Sequence, residues 1–476
     1  GNNLLGGHLP GGNMSGLVVT DPGFAGGYPT AETIERLYDE SDLNRAIQAY
    51  RFFYPTVSGA AIVKGNREAG VVDNKVFGVL DTKPQHVGFT LNSDTPYGPM
   101  LLDLRIGPMI IELPPGPLIV VALDVHQRWV ADMGVPGPDE GKGGKHLIVP
   151  PEYSGIVPDG YHVWHSTTNT VIIGIRALPV AGDVHGALDR IKTIGVRPLN
   201  PPADWAEPTW LNQTSLSLDT SPLQWETNIR FWEELHEVID REPPYEGYRD
   251  YYGELAVLGI AKGRPFDPDA RVRRVLTEAA QVANLQMRVE AFSDRRSDGI
   301  VWPDRNWEWV GLQPDSSDFD TSSYVDLDAR DVWFYQAIGA SPAMFRRQPG
   351  SGSLYWLGLR DSAASYLDGG KTYKLDIPLP VPARLFWSVT VYDARTRSQI
   401  QTDQGRAALR SLFELRTQQT RGDRVDLYFG PQPPAGKQDQ WIKTIPGHGW
   451  FSYMRIYGPE AAAFDGSWKP GDFELV

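Results

Sequence analysis

Apolar residues in the first half of the chain change from a helical to a strand-like spacing. From Thr30, which can cap a helix, they recur every three or four positions as far as residue 54. This spacing predicts an amphipathic helix. Short apolar runs bounded by Pro, Gly or Asp follow and predict strands, and a short helix closes this half. The predicted strands cover 76–80, 109–113, 118–123 and 170–175, and the closing helix covers 184–194.

The middle of the chain returns to helical spacing. Apolar residues over 225–239 and 268–292 recur at helical intervals, and a further helix is predicted over 332–344. From about residue 354 the strand pattern resumes. Its runs cover 373–377, 385–392, 425–429 and 451–457.

This order predicts a mainly β protein with some α structure: two β-sandwich or jelly-roll-like domains joined by a helical insert. The predicted boundaries are a flexible arm at 1–27, an N-terminal β domain with a leading helix at 28–200, the helical insert at 201–350 and a C-terminal β domain at 351–476. The 49 Gly and 39 Pro residues support many turns between short strands.

Composition narrows the functional classes. The formal net charge of −14 argues against nucleic-acid binding, because phosphate contacts require an excess of Lys and Arg. The absence of Cys excludes disulfides, thiolate metal sites and a Cys nucleophile. No apolar run is long enough for a transmembrane helix. The chain begins with Gly, which leaves a removed signal peptide and a trimmed chain as alternatives. We expect a soluble periplasmic or secreted protein that forms homo-oligomers.

Several strings resemble a known pair of domains. Two strings in the first half are similar to the DUF1254 family: Asn92-Ser93-Asp94-Thr95-Pro96-Tyr97 and Arg128-Trp129-Val130-Ala131-Asp132-Met133-Gly134. Two in the second half resemble the companion DUF1214 domain: Pro446-Gly447-His448-Gly449-Trp450-Phe451 and Arg455-Ile456-Tyr457-Gly458-Pro459. The resemblance implies a two-domain β protein, often an exported bacterial one. It assigns no catalytic residue.

The densest polar region lies between residues 124 and 146, in a Gly-rich stretch. Arg128, Lys142 and Lys145 are candidate substrate-binding residues, because a Gly-rich loop with ammonium and guanidinium groups suits an anion. Asp132 is a candidate general base. The alternative is a solvated hairpin without a ligand.

A second candidate set lies between the first two predicted strands of the first half. Asp94 suits a general base or a hard-metal ligand, and Tyr97 suits a proton donor. The alternative is an Asx turn, in which Asn92 and Asp94 bond their own backbone before Pro96.

Four histidines are the candidate ligands of a transition metal. His126 and His146, with His162 or His165, could converge from neighbouring strands in a cupin-like site. His162 and His165 face opposite sides of one strand, so both cannot bind the same metal without a bend. The sequence identifies no cofactor. It contains neither a G-x-S-x-G elbow nor a dinucleotide-binding glycine motif.

Two functions remain open. One is a small-molecule enzyme, with a hydrolase acting on a polar or anionic substrate as the favoured reaction, through Asp94, Tyr97 and Asp132 or through a metal. The alternative is a non-catalytic exported ligand-binding protein or a jelly-roll assembly subunit. Charged residues of the C-terminal half, among them Arg397 and Arg455, are interpreted as structural ion pairs.

Overall fold

The computed structural model describes residues 22–350 and 352–476. The part of the predicted arm before residue 22 lies outside the described residues. The remainder of the arm forms a turn and part of a two-stranded hairpin, β1 (Phe24–Ala25) and β2 (Tyr28–Pro29).

The N-terminal domain contains two four-stranded sheets. Their hydrogen-bonded orders are β4-β10-β6-β7 and β11-β5-β8-β9. Apolar side chains from both sheets form one core, so the sheets pack face to face as a sandwich. The strands are β3 (Val76–Val79), β4 (Tyr97–Asp103), β5 (Met109–Leu113), β6 (Leu118–Leu123), β7 (Trp129–Gly134), β8 (Gly144–Val149), β9 (His162–His165), β10 (Thr170–Ala177), β11 (Gly195–Pro198) and β12 (Thr209–Asn212), which pairs with β3.

The C-terminal domain is a second sandwich. A five-stranded sheet of order β13-β14-β20-β16-β17 faces a four-stranded sheet of order β19-β18-β15-β21 across an aromatic-rich core. Its strands are β13 (Trp307–Trp309), β14 (Ser353–Gly358), β15 (Tyr373–Pro378), β16 (Ala383–Asp393), β17 (Ala408–Arg410), β18 (Arg424–Gly430), β19 (Trp441–Lys443), β20 (Trp450–Pro459) and β21 (Glu474–Leu475). The predicted fold class, two β-sandwich domains with helices between them, is confirmed.

Seven α-helices lie within the described ranges. They are α1 (Ala31–Glu68), α2 (Val184–Ile191), α3 (Arg230–Arg241), α4 (Arg249–Val257), α5 (Ala270–Phe292), α6 (Leu327–Gln336) and α7 (Pro342–Phe345). Helices α1, α3, α4, α5 and α6 share one hydrophobic cluster with strands of the C-terminal sheet. No helix in the part of the chain that the structure describes has the length and apolar character to cross a membrane.

Two helix predictions need correction. The first helix begins after its Thr30 cap, as predicted, but it runs on to Glu68, and its early apolar residues Ile34 and Leu37 are exposed. Its buried stretch is the middle, where the other helices cover it. The helix predicted over 332–344 is instead divided into α6 and α7, because Gly339 between them has a φ of +64° that an α-helix does not allow.

Candidate functional site

A cavity of about 200 Å³ lies between the two sandwiches. Its floor is the outer face of the sheet β4-β10-β6. Alternate residues of a strand point to opposite faces, and β10 follows this period of two. One set enters the sandwich core and consists of Val171, Ile173 and Ile175. The other set lies on the cavity side and consists of Ile172, Gly174 and Arg176.

The neighbouring strands extend this floor in register. Gly174 lies between Pro99 of β4 and Val121 of β6, and Arg176 is paired with Tyr97 of β4. Ile172 lies in the same way between a leucine of β4 and a leucine of β6, Leu101 and Leu123. The floor is therefore apolar over most of its area and becomes polar at the end that carries Arg176 and Tyr97.

The walls of the cavity come from five other parts of the chain. They are the second half of α1, the segment 80–92, the residues Leu218 and Thr220, the stretch 333–344 from α6 to α7, and the outer face of the C-terminal sheet. On β20 the residues of that outer face alternate with core residues, and the whole strand is buried. The wall residues used below are Gly339, Tyr355, Tyr453 and Arg455.

Arg455 anchors the polar end of the cavity. Its guanidinium donates hydrogen bonds to the carbonyl oxygen of Thr90 and to the hydroxyl of Tyr392. The Tyr392 hydroxyl in turn donates to the carbonyl of Leu91 at 2.7 Å. The Nε of Arg455 has no hydrogen-bond partner among the described residues, although the side chain is buried. One N–H of a buried cation is thus left free.

Arg176 is the second cation at this end. It is half-buried, and Tyr97 and Tyr355 are its neighbours. In the described part of the chain, neither Arg176 nor Arg455 has a carboxylate oxygen within 4.0 Å. Two guanidinium groups therefore face a largely apolar cavity without an acidic partner.

Tyrosine hydroxyls complete the polar end. Burial raises the pKa of Tyr97 and of Tyr453, and raises the pKa of Tyr392 to about 12, so all three stay protonated at neutral pH. The hydroxyl of Tyr453 is buried and has no partner within the described ranges. It adds a free hydroxyl beside the free N–H of Arg455.

Asp94, a predicted general base, lies behind the polar end and joins the two domains. Its carboxylate accepts a hydrogen bond of 2.6 Å from Ser388 of β16, and its own N–H donates to the side chain of Asn92. Burial raises the pKa of Asp94. Asn92 also donates to the hydroxyl of Tyr97 at 3.1 Å. The structure thus brings Asp94 and Tyr97 together, and it also contains the Asx turn that the sequence offered as the alternative.

Asp132 lies on the neighbouring strand β7, where it is paired with Val121 of the cavity floor. Its carboxylate accepts a hydrogen bond of 3.4 Å from the N–H of Ala343, in the first turn of α7. Burial raises the pKa of Asp132 to about 6, and Arg176 is among the charges that lower this pKa. The observed contact is that of a helix cap.

The three predicted substrate-binding cations do not come together. Arg128 stacks on Tyr245, with 3.8 Å from its guanidinium carbon to the ring centroid, and pairs with Asp318 at 3.2 Å. That contact lies in a separate surface cleft. Lys142 is exposed and pairs with Glu140, and Lys145 is exposed on β8. The Gly-rich stretch connects β7 of one sheet to β8 of the other and is not a hairpin, and the anion-binding loop stays a prediction.

The four candidate metal ligands do not form one cluster in the described part of the chain. His146 is buried, accepts from Trp164 at 3.1 Å and contacts Asp139 at 3.0 Å, so both ring nitrogens are used. His126 bonds Thr56 at 2.7 Å, and burial lowers the pKa of His126 to about 3. His162 lies beside His146, and His165 is exposed. Among the described residues, no group of three or more His, Cys, Asp or Glu side chains could hold a metal ion.

Sequence reasoning misses most of the polar end. It interprets Arg455 as part of a structural ion pair and does not single out Arg176, Tyr355, Tyr392 or Tyr453. One signal is present on β20, where aromatic and charged residues alternate with core residues. Such alternation on a strand between two buried motifs indicates a polar face covered by another part of the protein.

Comparisons with known proteins match both halves of the chain. A family model described as a protein of unknown function, DUF1254, matches residues 76–197, and another of the same description, DUF1214, matches residues 352–461. The first match contains the cavity floor, and the second contains Tyr355, Tyr453 and Arg455. No curated protein matches the chain.

Solved structures resemble the chain in fold. The VPA0106 protein from Vibrio parahaemolyticus shares 17% sequence identity at a TM-score of 0.55, over 91% of this chain and 100% of that one. An uncharacterized protein from Burkholderia cenocepacia shares 12% identity at a TM-score of 0.41, over 93% and 96% of the two chains, and supports no further argument. The chain therefore contains a DUF1254 domain at residues 76–197, followed by a DUF1214 domain at residues 352–461.

Proposed function

We propose that the protein binds a small molecule with an apolar body in the cavity between its two sandwiches. The observation that carries this proposal is the polar end of a mostly apolar cavity, where the Nε of Arg455 and the hydroxyl of Tyr453 lack partners among the described residues. A buried polar group without a partner costs about 1–3 kcal/mol. A ligand that accepts from these groups would recover part of that cost.

The size of the cavity limits the ligand. An engineered protein cavity of about 150 Å³ binds benzene. A cavity of about 200 Å³ therefore suits one ring or a short chain with a single head group. The apolar floor would cover the body of the ligand, and the arginine and tyrosine side chains would bind its head group.

Hydrolysis remains a prediction, and the geometry supports binding better. The carboxylate of Asp94 bonds Ser388 across the domain interface, and that of Asp132 caps α7, so each already has a structural contact. Turnover of small aryl esters that falls by about two to four decades in Asp94→Asn or Asp132→Asn, with unchanged melting, would favour the hydrolase instead.

Three finer predictions stay open beside this proposal. An exported location is supported by the lack of Cys in the sequence. A homo-oligomer and a jelly-roll strand order are the other two. Gel filtration with light scattering tests the oligomer, and fractionation of the producing cells tests the location.

Filling the cavity tests the proposed function. A Cβ atom at Gly174 would meet Val121 Cγ1 at 3.6 Å, an ordinary contact, so Gly174→Leu has room for its first atom and projects the rest into the cavity. The matched control is Gly195→Leu on β11, where a Cβ atom would meet Glu112 Cβ at 3.5 Å, away from the cavity.

The probes are benzyl alcohol, phenol and benzoate, measured by calorimetry. We expect at least one of them to bind the wild type and Gly195→Leu equally, and to bind Gly174→Leu at least tenfold more weakly. Binding of none of the probes, or equal binding to all three proteins, would contradict the proposal.

A further inference from the structure

We propose that the ligand of this cavity is a compact monocarboxylate whose head group binds between Arg176 and Arg455. This inference rests on the proposed function and adds the charge and chemical class of the ligand. The charges at the polar end, the free donors and the lining of the cavity each support it.

The two cations of the polar end have no acidic side chain in direct contact. Arg176 and Arg455 carry two positive charges, and the buried carboxyl groups that influence them through space are Asp132 for Arg176 and Asp94 for Arg455. Arg410, the next cation, is already paired with Glu414 at 2.6 Å. Asp94 is bonded to Ser388 and Asp132 to the N–H of Ala343, and among the described residues neither carboxylate has an oxygen within 4.0 Å of the two guanidinium groups. Buried charges are stable when they are paired, so one negative charge on the ligand would complete the site.

The free donors suit a carboxylate. Arg455 uses two of its N–H groups on Thr90 and Tyr392, and its Nε–H is left without a partner in the described part of the chain. The Tyr453 hydroxyl is a second free donor. Guanidinium groups bind the two oxygens of a planar carboxylate through parallel hydrogen bonds.

The floor of the cavity suits the hydrocarbon part of such an acid. The floor beyond Arg176 consists of Gly174 and Ile172 with Val121, Leu101 and Leu123. These side chains offer no polar group, so the body of the ligand should be apolar as well. An aromatic or short aliphatic acid meets both requirements.

A series of ring compounds that differ in head group tests the inference. The compounds share a phenyl ring and differ in charge. Benzoate carries one negative charge, benzamide and benzyl alcohol are neutral, and benzylamine carries one positive charge. For the wild type at pH 7, we expect benzoate to bind at least tenfold more tightly than benzamide, and benzylamine to bind more weakly than either. Calorimetry measures each affinity.

Two variants locate the head group. Arg176→Gln should weaken benzoate at least tenfold and leave benzamide unchanged. Arg197→Gln, whose arginine pairs with the half-exposed Glu112 on the far sheet, should leave both unchanged. If Arg176→Gln does not fold, the comparison of benzoate with benzamide in the wild type still tests the inference.

The outcomes separate the two proposals. If benzamide binds the wild type as tightly as benzoate and Gly174→Leu abolishes both, the cavity is the site and the carboxylate inference is wrong. If benzoate binding is unchanged in Arg176→Gln, the inference is also wrong. If no compound binds, or Gly174→Leu binds all of them normally, the proposed function fails as well.

Discussion

The fold shifts the pKa of Glu290 on α5. Arg51 of α1 donates to Glu290 and to Asp331 of α6, so one cation serves two carboxyl groups. Burial and the adjacent Asp331 raise the pKa of Glu290 to about 8. Near neutral pH the pair therefore retains a proton, which the two carboxyl groups share.

This shift predicts a pH-dependent difference between the wild type and Glu290→Gln. The folded pKa is raised above the ordinary value of 4.5, so the folded state binds the extra proton between pH 4.5 and about 8. The stability contributed by that proton is present at low pH and is lost as the pH rises through 8. Asp328 and Arg295 also face this group and are unchanged in the variant.

We expect the stability of the wild type relative to Glu290→Gln to fall by about 1–2 kcal/mol between pH 5 and pH 8, a value reduced for partial solvent exposure. Urea unfolding at both pH values measures it. Glu237→Gln, at an exposed position of α3, is the control. A difference that does not change with pH would show that Glu290 titrates normally.

At the scale of elements, Gly339 determines the shape of the cavity wall. It has a φ of +64°, and a Cβ atom there would lie 2.6 Å from Leu123 Cδ1. Gly436 has a similar φ of +75° but an open environment, where an added Cβ atom would meet nothing within 4 Å. Comparing substitutions at the two glycines therefore distinguishes the cost of backbone strain from the cost of steric crowding.

We expect Gly436→Ala to lower the free energy of unfolding by about 1 kcal/mol, through backbone strain alone. Gly339→Ala should cost about 1–3 kcal/mol more, because Leu123 must move, and the displaced side chain should weaken benzoate binding. Urea unfolding and calorimetry measure the two effects. Equal costs for both variants, with normal binding, would contradict this account of the wall.

The sequence predicts elements better than it predicts their partners. The apolar runs at Met109–Leu113 and Leu118–Leu123 are strands in the structure, because local alternation and flanking turns define them. The break at Gly339 escapes prediction, because a helical pattern does not show where a positive φ is required. Local patterns also do not show that the outer face of β10 is covered by a strand of the other domain.

This long-range packing explains why the sequence predicts some residues of the site and misses others. Asp94 and Tyr97 can be singled out from the sequence, because they lie together in one polar string. Arg176 and Arg455 meet only after both domains have folded and packed. The interpretation of Arg397 as part of an ion pair agrees with the structure, where it binds Glu226 at 2.7 Å.

At the scale of the whole molecule, buried polar contacts join the domains and the helices. Ser388 bonds Asp94, Arg455 bonds Thr90, and Arg397 pairs with Glu226 in the segment before α3. Because these contacts cross the boundaries between the parts, neither sandwich can unfold without exposing charged or polar groups of the other. The chain should therefore unfold as one cooperative unit.

We expect a single calorimetric transition for the wild type. Glu226→Gln should lower the stability of that whole transition by about 3–5 kcal/mol, because it leaves Arg397 buried without its partner. Lys142→Ala, which removes an exposed pair, should change it by less than about 0.5 kcal/mol. Two separate transitions, with only one of them shifted by Glu226→Gln, would show that the domains fold independently.

The central claim is that the cavity between the sandwiches is the functional site, and a crystal structure with 4-bromobenzoate tests it most directly. The anomalous signal of bromine locates the ring without bias. The account predicts one bromine peak over the apolar floor near Gly174, with the carboxylate within hydrogen-bonding distance of Arg176 and Arg455. A cavity without a bromine peak at saturating ligand, or a carboxylate turned away from both arginines, would contradict it.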